Sequence, residues 1–441
     1  MNEVTRHAQF CQFRQKIRSS RTYLIVGIDI AKDKHHAFFG TARGETLRRR
    51  LIFGNHIDGF NRLVEQVDML LAEHKLEKIV FGLEPTGNYH KPLAYWLISQ
   101  GYDTVLVAGK AVSDNRQLLD GRWDKNDTKD SANVADLIGQ GKCQFYEQPA
   151  TEVTAVRTLL AVRRRLKKEE HGLRMQIRNG LLAKYFPEMD RLWGNRLEEN
   201  LAIVRWYLDP RKIVATEFDQ FVRHVTRANR GLRQLQRLKA IYAAAGKSVG
   251  MPVNKAATFE ARLLVERIQR VRRQIKATMQ QLEKSCQKIP GYELLQTIPG
   301  FGPYISAMVL SAIGDPWRFT NARQVIRLAG LDLNANRSGK KSDASVPKIS
   351  KRGDAVLRWG LYQAALIASY HNQDFFRIYS RTLQNRLGER GIKTKARVKL
   401  AAKMLVIAWT MLKNNEAFDV ERLAPGPVQK RCDDNVRSEN K

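Results

Sequence analysis

Hydrophobic positions change their period along the chain. From residue 23 the run "YLIVGIDIAK" is apolar and β-branched, and two shorter strand-like runs follow it across turn residues. "HIDGFNRLVEQVDMLLAEHK" then sets Phe60, Leu63, Val64, Val67, Leu70 and Leu71 at helical spacing. "KIVFGLEPTG" reads as a further strand, stopped by Pro85 and Gly87. "HKPLAYWLISQ" reads as helix, "DTVLVAG" as strand and "DTKDSANVADLIGQGK" as helix. A strand meander followed by alternating strands and helices predicts an α/β domain with a mixed sheet over residues 22–150.

Past residue 150 the period becomes helical and the charge basic, as in "TEVTAVRTLLAVRRRLKKEEHGLRMQIRNGLLAKYF". Leu264, Ile268, Val271, Ile275, Met279 and Leu282 recur at three- and four-residue steps. Two structures satisfy that seam: a coiled-coil arm for self-association, or a helical bundle within the chain. Residues 151–288 are therefore expected as a helical and coiled-coil dimerisation region, broken over 186–256 by Pro187, Pro210, Gly231, Gly246, Gly250 and Pro252. A mainly helical C-terminal domain is expected over 289–418. It opens with "YELLQTIPGFGPYISAMVLSAIGD", read as helix, hairpin, helix. A basic Gly/Ser loop and two apolar helices follow. Residues 1–21 read as a basic N-terminal arm and 419–441 as a disordered tail.

Charge changes the picture most. Lys and Arg number 76 against 44 Asp and Glu, a formal net charge of +32. Such an excess argues for a polyanionic partner, nucleic acid first. No apolar run approaches the roughly 20 residues that span a bilayer, and the first residues lack an apolar signal segment, so a cytoplasmic location is expected. Cys11, Cys143, Cys286 and Cys432 are scattered, which predicts reduced, unpaired thiols and no zinc site.

Against that charge, certain carboxylates stand out. Asp29 interrupts an apolar strand, where an aspartate is costly unless paired, hydrogen-bonded or metal-bound. Glu84 ends another apolar strand, and Asp127 and Asp130 are three apart on one helical face. Converged carboxylates repel one another unless a divalent cation neutralises them, and oxygen-only ligands suit Mg²⁺ or Mn²⁺. Ordinary roles are also open: Asp127 as N-cap, Asp130 as first-turn acid, Asp124 and Asp136 as surface residues, Asp33 as a turn residue. His35 and His36 read as solvated strand residues.

Two further segments carry candidate nucleic-acid contacts. In "TIPGFGPYIS", Gly300 and Gly302 permit a tight turn before a helix start whose free N–H groups attract phosphate, in the manner of a helix-hairpin-helix. In "NRSGKKSDASVPKISKRGD", Arg337, Lys340 and Lys341 surround Ser338. A serine hydroxyl needs a base or a metal to become a nucleophile, and composition does not distinguish Ser338 from Ser342, Ser345 or Ser350.

"VGIDIAK", "EPTGNY", "KNDTKDSANVADLI", "IPGFGPYISAMVLSAIGD" and "LAGLDLNANRSGKK…ISKRGDAVLRWGLYQAA" occur in the order of the DEDD-type insertion-sequence transposases. The chain resembles that family of bridge-RNA-guided recombinases over about residues 22–415. The resemblance implies an RNase H-like N-terminal domain whose tetrad Asp29, Glu84, Asp127 and Asp130 holds Mg²⁺ or Mn²⁺. It implies a C-terminal transposase domain in which Ser338 attacks DNA and forms a covalent intermediate, the site being completed between domains or subunits. It further implies double-stranded target and donor DNA, a structured non-coding guide RNA, and a homodimer that assembles to a tetramer and works at the nucleoid. Segment 186–256 looks longer than in the family's shorter members, and the basic arm lies outside the match. The expected activity is Mg-dependent, RNA-guided strand cleavage and exchange. The alternative is an RNase H-like nuclease or junction resolvase without a serine nucleophile.

Overall fold

The computed structural model describes residues 6–120, 127–146, 148–226, 231–334 and 348–423, excepting the side chains of 6–8, 19, 117–120, 127 and 128. The chain divides into two compact units, Met1–Ala150 with Asp315–Val325, and Thr151–Gly314 with Ile326–Lys441.

The first unit is built on strands β1 (Tyr23–Asp29), β2 (Lys34–Thr41), β3 (Thr46–Gly54), β4 (Lys78–Leu83), β5 (Thr104–Leu106) and β6 (Gln144–Phe145). They lie in the order β3-β2-β1-β4-β5-β6. The meander β1–β3 is antiparallel, β4 and β5 run parallel to β1, and β6 is antiparallel to β5. Its helices are α1 (Arg6–Ser19), α2 (Ile57–Glu73), α3 (His90–Ser99), α4 (Gly109–Asp120) and α5 (Asp127–Gly139).

Alternation along the strands sends side chains to two cores. Leu24, Val26 and Ile28 of β1 join Phe60, Leu63 and Val67 of α2 and Leu93 and Leu97 of α3. Tyr23 and Ile25 of β1 and Val80 of β4 join Val134, Ala135 and Ile138 of α5 on the opposite face. β1 is thus covered on both faces, which is why it reads as an unbroken apolar run.

Two expectations change here, and one helix is added. The basic stretch at the N-terminus carries α1, whose Phe13 and Ile17 are buried in the second core, with Phe10 and Phe13 against Phe145. His35 is not solvated: it alternates with Ala37 and Phe39 and is 0% exposed, beside Phe53. α4, a stretch given no element above, is anchored in the second core by Val112.

The second unit is helical. It runs through α6 (Thr151–Met175), a π-helical stretch Gln176–Leu182, α7 (Ala183–Tyr185), α8 (Pro187–Arg191), α9 (Leu197–Tyr207), α10 (Pro210–Val214), α11 (Phe218–Val225), α12 (Leu232–Ala245) and α13 (Lys255–Cys286). Pro187 and Pro210 occupy first-turn positions of α8 and α10, where the missing N–H costs nothing. The seam residues Leu264, Ile268 and Val271 are buried with Ile203, Phe221 and Ile241, and Ile275 packs beside them. Much of that seam is therefore filled by the chain's own bundle, the second of the two structures its period allows.

Further on lie α14 (Tyr292–Gln296), α15 (Pro303–Ile313), α16 (Ala322–Leu328), β7 (Leu333–Asn334), β8 (Lys348–Ile349), α17 (Ala355–His371), α18 (Gln373–Leu383) and α19 (Ile392–Asn414). Among the described residues no helix is long and apolar enough to cross a membrane.

Candidate active site

Asp29 is the last residue of β1, half-buried at the strand's end rather than sealed inside it. β1 and β4 pair in parallel through Ile28 and Leu83, and the Glu84 N–H donates to the Ile28 carbonyl at 3.3 Å. Asp29 and Glu84 are therefore the next residues on two adjacent strands. Alternation puts Asp29 on the face of Gly27 and Glu84 on the face of Gly82, the face that α5 covers. A Cβ on Gly109, at the start of α4, would stand 2.8 Å from Glu84 Oε1, so a glycine leaves that carboxylate its place.

The sequence of β1 fixes how close α5 comes. Gly27 has the Ser131 carbonyl against it, and a Cβ there would lie 2.6 Å from the Ala135 nitrogen. Gly82 faces Val134 and Ile138, while Gly139 lies over Ile25, so α5 runs antiparallel to β1. Its first turn, with Asp127 and Asp130, consequently lies toward the end of β1 that carries Asp29. Asp127 begins the helix, and its side chain lies outside the described residues.

Asp130 is 0% exposed. Arg116 of α4 places Nε on Asp130 Oδ1 at 2.8 Å and Nη2 on the same oxygen. Oδ2 is buried and, among the described residues, has no hydrogen-bond partner. Asp136 plays an ordinary part, exposed and accepting from Asn115 at 2.9 Å and Gln140 at 2.7 Å. Asp33 sits in the β1–β2 turn, its carbonyl accepting from the Asn55 N–H.

The donors are all carboxylate oxygens, the set a hard divalent cation takes, and the orphaned Oδ2 of Asp130 is an acceptor that a cation would complete. Asp29, Glu84, Asp127 and Asp130 fit such an ion by chemistry. Among the described residues no three such side chains are already gathered into a metal-holding group.

A groove of about 820 Å³ lies along β3 and the start of α2, where Lys34, Arg48, Arg50 and Arg62 outnumber Asp33 and Asp58. α2 packs on the face of β1 opposite to α5, and among the described residues none of the four acids lines the groove. A register shift in β3 turns Arg48 toward α2, where it donates to Gln66 Oε1 at 2.5 Å. An open basic groove suits a phosphate backbone.

In the second unit Gly300 has φ +91°, and a Cβ on it would meet the Ala364 carbonyl of α17 at 2.6 Å. Gly302 caps α15 in extended conformation with open space around it. Ser338, Arg337, Lys340 and Lys341 lie outside the described residues. The described residues on either side form the β7–β8 ladder, in which Leu333 pairs with Ile349 and Asn334 with Lys348. The Ser350 hydroxyl donates to Asp332 just below that ladder, and the Ser350 N–H to the Asp332 carbonyl at 2.8 Å.

Arg116 carries little signal in the sequence, where it is one arginine in an unassigned stretch shortly before the acidic cluster.

Residues 26–187 match a DEDD transposase model of IS110 type described as "Transposase", and residues 292–380 match the model "Transposase IS116/IS110/IS902 family". The chain is 24% identical over 399 residues to the "Insertion element IS116 uncharacterized 44.8 kDa protein" of Streptomyces clavuligerus, covering 89% of this chain and 95% of that one. It is 24% identical over 418 residues to the "Transposase for insertion sequence element IS1111A" of Coxiella burnetii, covering 94% and 96%. It is 32% identical over 128 residues to the "Pilin gene-inverting protein" of Moraxella bovis, covering 29% and 38%.

Proposed function

Since this chain belongs to the IS110/IS116 family of insertion-sequence transposases, DNA-recombining enzymes, we propose that it cleaves and exchanges DNA strands at a composite site made of an acidic tetrad and a serine. The observation that carries this reading is the adjacency of Asp29 and Glu84 at the ends of β1 and β4, on the face where α5 begins. The sheet order β3-β2-β1-β4-β5, with its antiparallel meander and parallel β4 and β5, supports an RNase H-like assignment for the domain.

Asp29, Glu84, Asp127 and Asp130 would hold Mg²⁺ or Mn²⁺, which neutralises charge on the phosphate in flight when bound. Ser338 Oγ forms a bond to phosphorus as the bond to the leaving sugar oxygen breaks. The hydroxyl loses its proton, and the leaving oxygen gains one. A hydroxyl of the partner strand then displaces Ser338, which restores the serine and joins the new strand. Arg337, Lys340 and Lys341 offset the added negative charge. The Gly300–Gly302 turn and the groove along β3 contact backbone phosphates.

Target and donor duplexes are the substrates. A structured non-coding RNA of the element pairs with both, in keeping with the net charge of +32. The working assembly is a homodimer that pairs into a tetramer.

The test is strand cleavage. The protein is co-expressed with RNA from its flanking DNA and given labelled donor and target duplexes. Cleavage should require Mg²⁺, stop with EDTA, and be lost in Glu84→Gln. Cleavage that survives both would contradict the reading.

A further inference from the structure

We propose that Arg116 is a positioning residue for the acidic site: by holding Asp130 Oδ1 it aims Oδ2 at the divalent cation. The inference rests on the metal reading of Asp29, Glu84, Asp127 and Asp130 given above.

Arg116 pairs with Asp130 in an unusual way. A guanidinium fork meets a carboxylate most favourably with one donor on each oxygen. Three other pairs among the described residues do so. Arg211 sets Nε on Asp209 Oδ1 at 2.9 Å and Nη2 on Oδ2 at 2.7 Å. Arg386 reaches Glu389 Oε1 at 2.7 Å and Oε2 at 2.9 Å. Arg178 reaches Asp190 Oδ1 at 2.6 Å and Oδ2 at 3.4 Å. Arg116 instead brings both Nε and Nη2 to Oδ1, and among the described residues Oδ2 has no partner.

Burial makes the difference count. The Asp130 side chain is 1% exposed and that of Arg116 16%. A surface carboxylate oxygen without a protein partner has water. A buried one left unmade is a penalty, and it persists where something outside the protein's own hydrogen bonds completes it. Asp130 stands in the first turn of α5, toward the end of β1 that bears Asp29, so a cation held there can complete Oδ2. Carboxylates that ligate metals are commonly held by such outer partners, and losing the partner loosens the ligand.

Arg116 then acts on metal affinity in two opposed ways. Its charge repels the cation, and its fork fixes the ligand. Arg116→Lys separates them, because it keeps the charge but cannot place a rigid fork on one oxygen.

The experiment is Mn²⁺ binding to the full chain, followed by electron paramagnetic resonance of free Mn²⁺ and by calorimetry. Wild type, Arg116→Lys, Arg116→Gln, Asp130→Asn and Glu84→Gln are compared, with circular dichroism to confirm folding. Arg116→Lys should weaken Mn²⁺ binding by about 10-fold or more, and should add nothing in an Asp130→Asn background. Should Arg116→Gln fail to fold, Arg116→Lys decides alone. Unchanged or tighter binding in Arg116→Lys, while Glu84→Gln weakens it, would overturn the role of Arg116 and leave the metal reading intact. Wild-type binding that neither Glu84→Gln nor Asp130→Asn alters would overturn both.

Discussion

Gly27 of β1 lies directly under Ser131 of α5, with the serine carbonyl where a side chain would be. That absence of a Cβ seats the helix carrying Asp127 and Asp130 on the strand carrying Asp29. Because the obstructing atoms are backbone, a larger residue cannot be accommodated by a rotamer change. Gly27→Ala is expected to destabilise the protein by about 3 kcal/mol, the upper end for an overpacked site. It should also reduce cleavage in the protein that remains folded. Urea unfolding and strand-cleavage assays measure the two effects.

Replacing the strand-end acids separates activity from folding. Asp29→Asn and Glu84→Gln remove charge at two half-buried positions that are adjacent at the ends of β1 and β4. Thermal stability is expected to hold or rise, while cleavage falls on the order of 100-fold or more, the loss typical of one missing preorganised electrostatic contact. A large stability loss with activity retained would instead mark the acids as structural.

The two hairpin glycines should behave differently. Gly300 needs a positive φ and has the Ala364 carbonyl at 2.6 Å from any Cβ, so Gly300→Ala is expected to cost about 2 kcal/mol or more. Gly302 has an extended backbone and open space, so Gly302→Ala is expected to change stability by less than about 0.5 kcal/mol. Any loss of DNA binding in Gly302→Ala would then report on contact with phosphate. Denaturation midpoints together with salt-dependent DNA binding test the pair.

Acid should loosen the first unit through its histidines. Burial pulls His35 below the ordinary value of 6.5, with His36 adding repulsion. Burial does the same to His90, helped by Lys91. The unfolded chain takes up these protons before the folded one does. Their contribution is thus fully present above the ordinary histidine pKa and is lost as pH falls through and below it. The unfolding midpoint is expected to drop between about pH 7.5 and about pH 5.5, and His35→Gln with His90→Gln should flatten that dependence.

Much of this was legible because single segments carry their own signal. β1 and β4 announce themselves by β-branched apolar runs, α2 by its period, and the acids by standing where apolar residues belong. What escaped depends on partners distant in sequence. His35 is buried because β2 turns that face to the core of α2 and α3, a choice no alternation in "KHHAFF" makes by itself. The seam of α13 has the same spacing whether a second chain or its own bundle fills it. Arg116 gains its meaning only when α4 packs beside α5, and neither helix encodes that pairing locally. The basic residues around Phe13 and Ile17 likewise hid the apolar side of α1.

The most direct test of a composite acid–serine site is covalent trapping. Wild type, Ser338→Ala and Asp29→Asn, each co-expressed with RNA from the flanking DNA, are incubated with labelled target and donor duplexes and Mg²⁺ and resolved on denaturing gels. The account predicts a protein–DNA adduct in wild type that disappears in both variants. Strand cleavage by Ser338→Ala at the wild-type level, with no adduct in any lane, would contradict it and leave a metal-dependent nuclease that uses water.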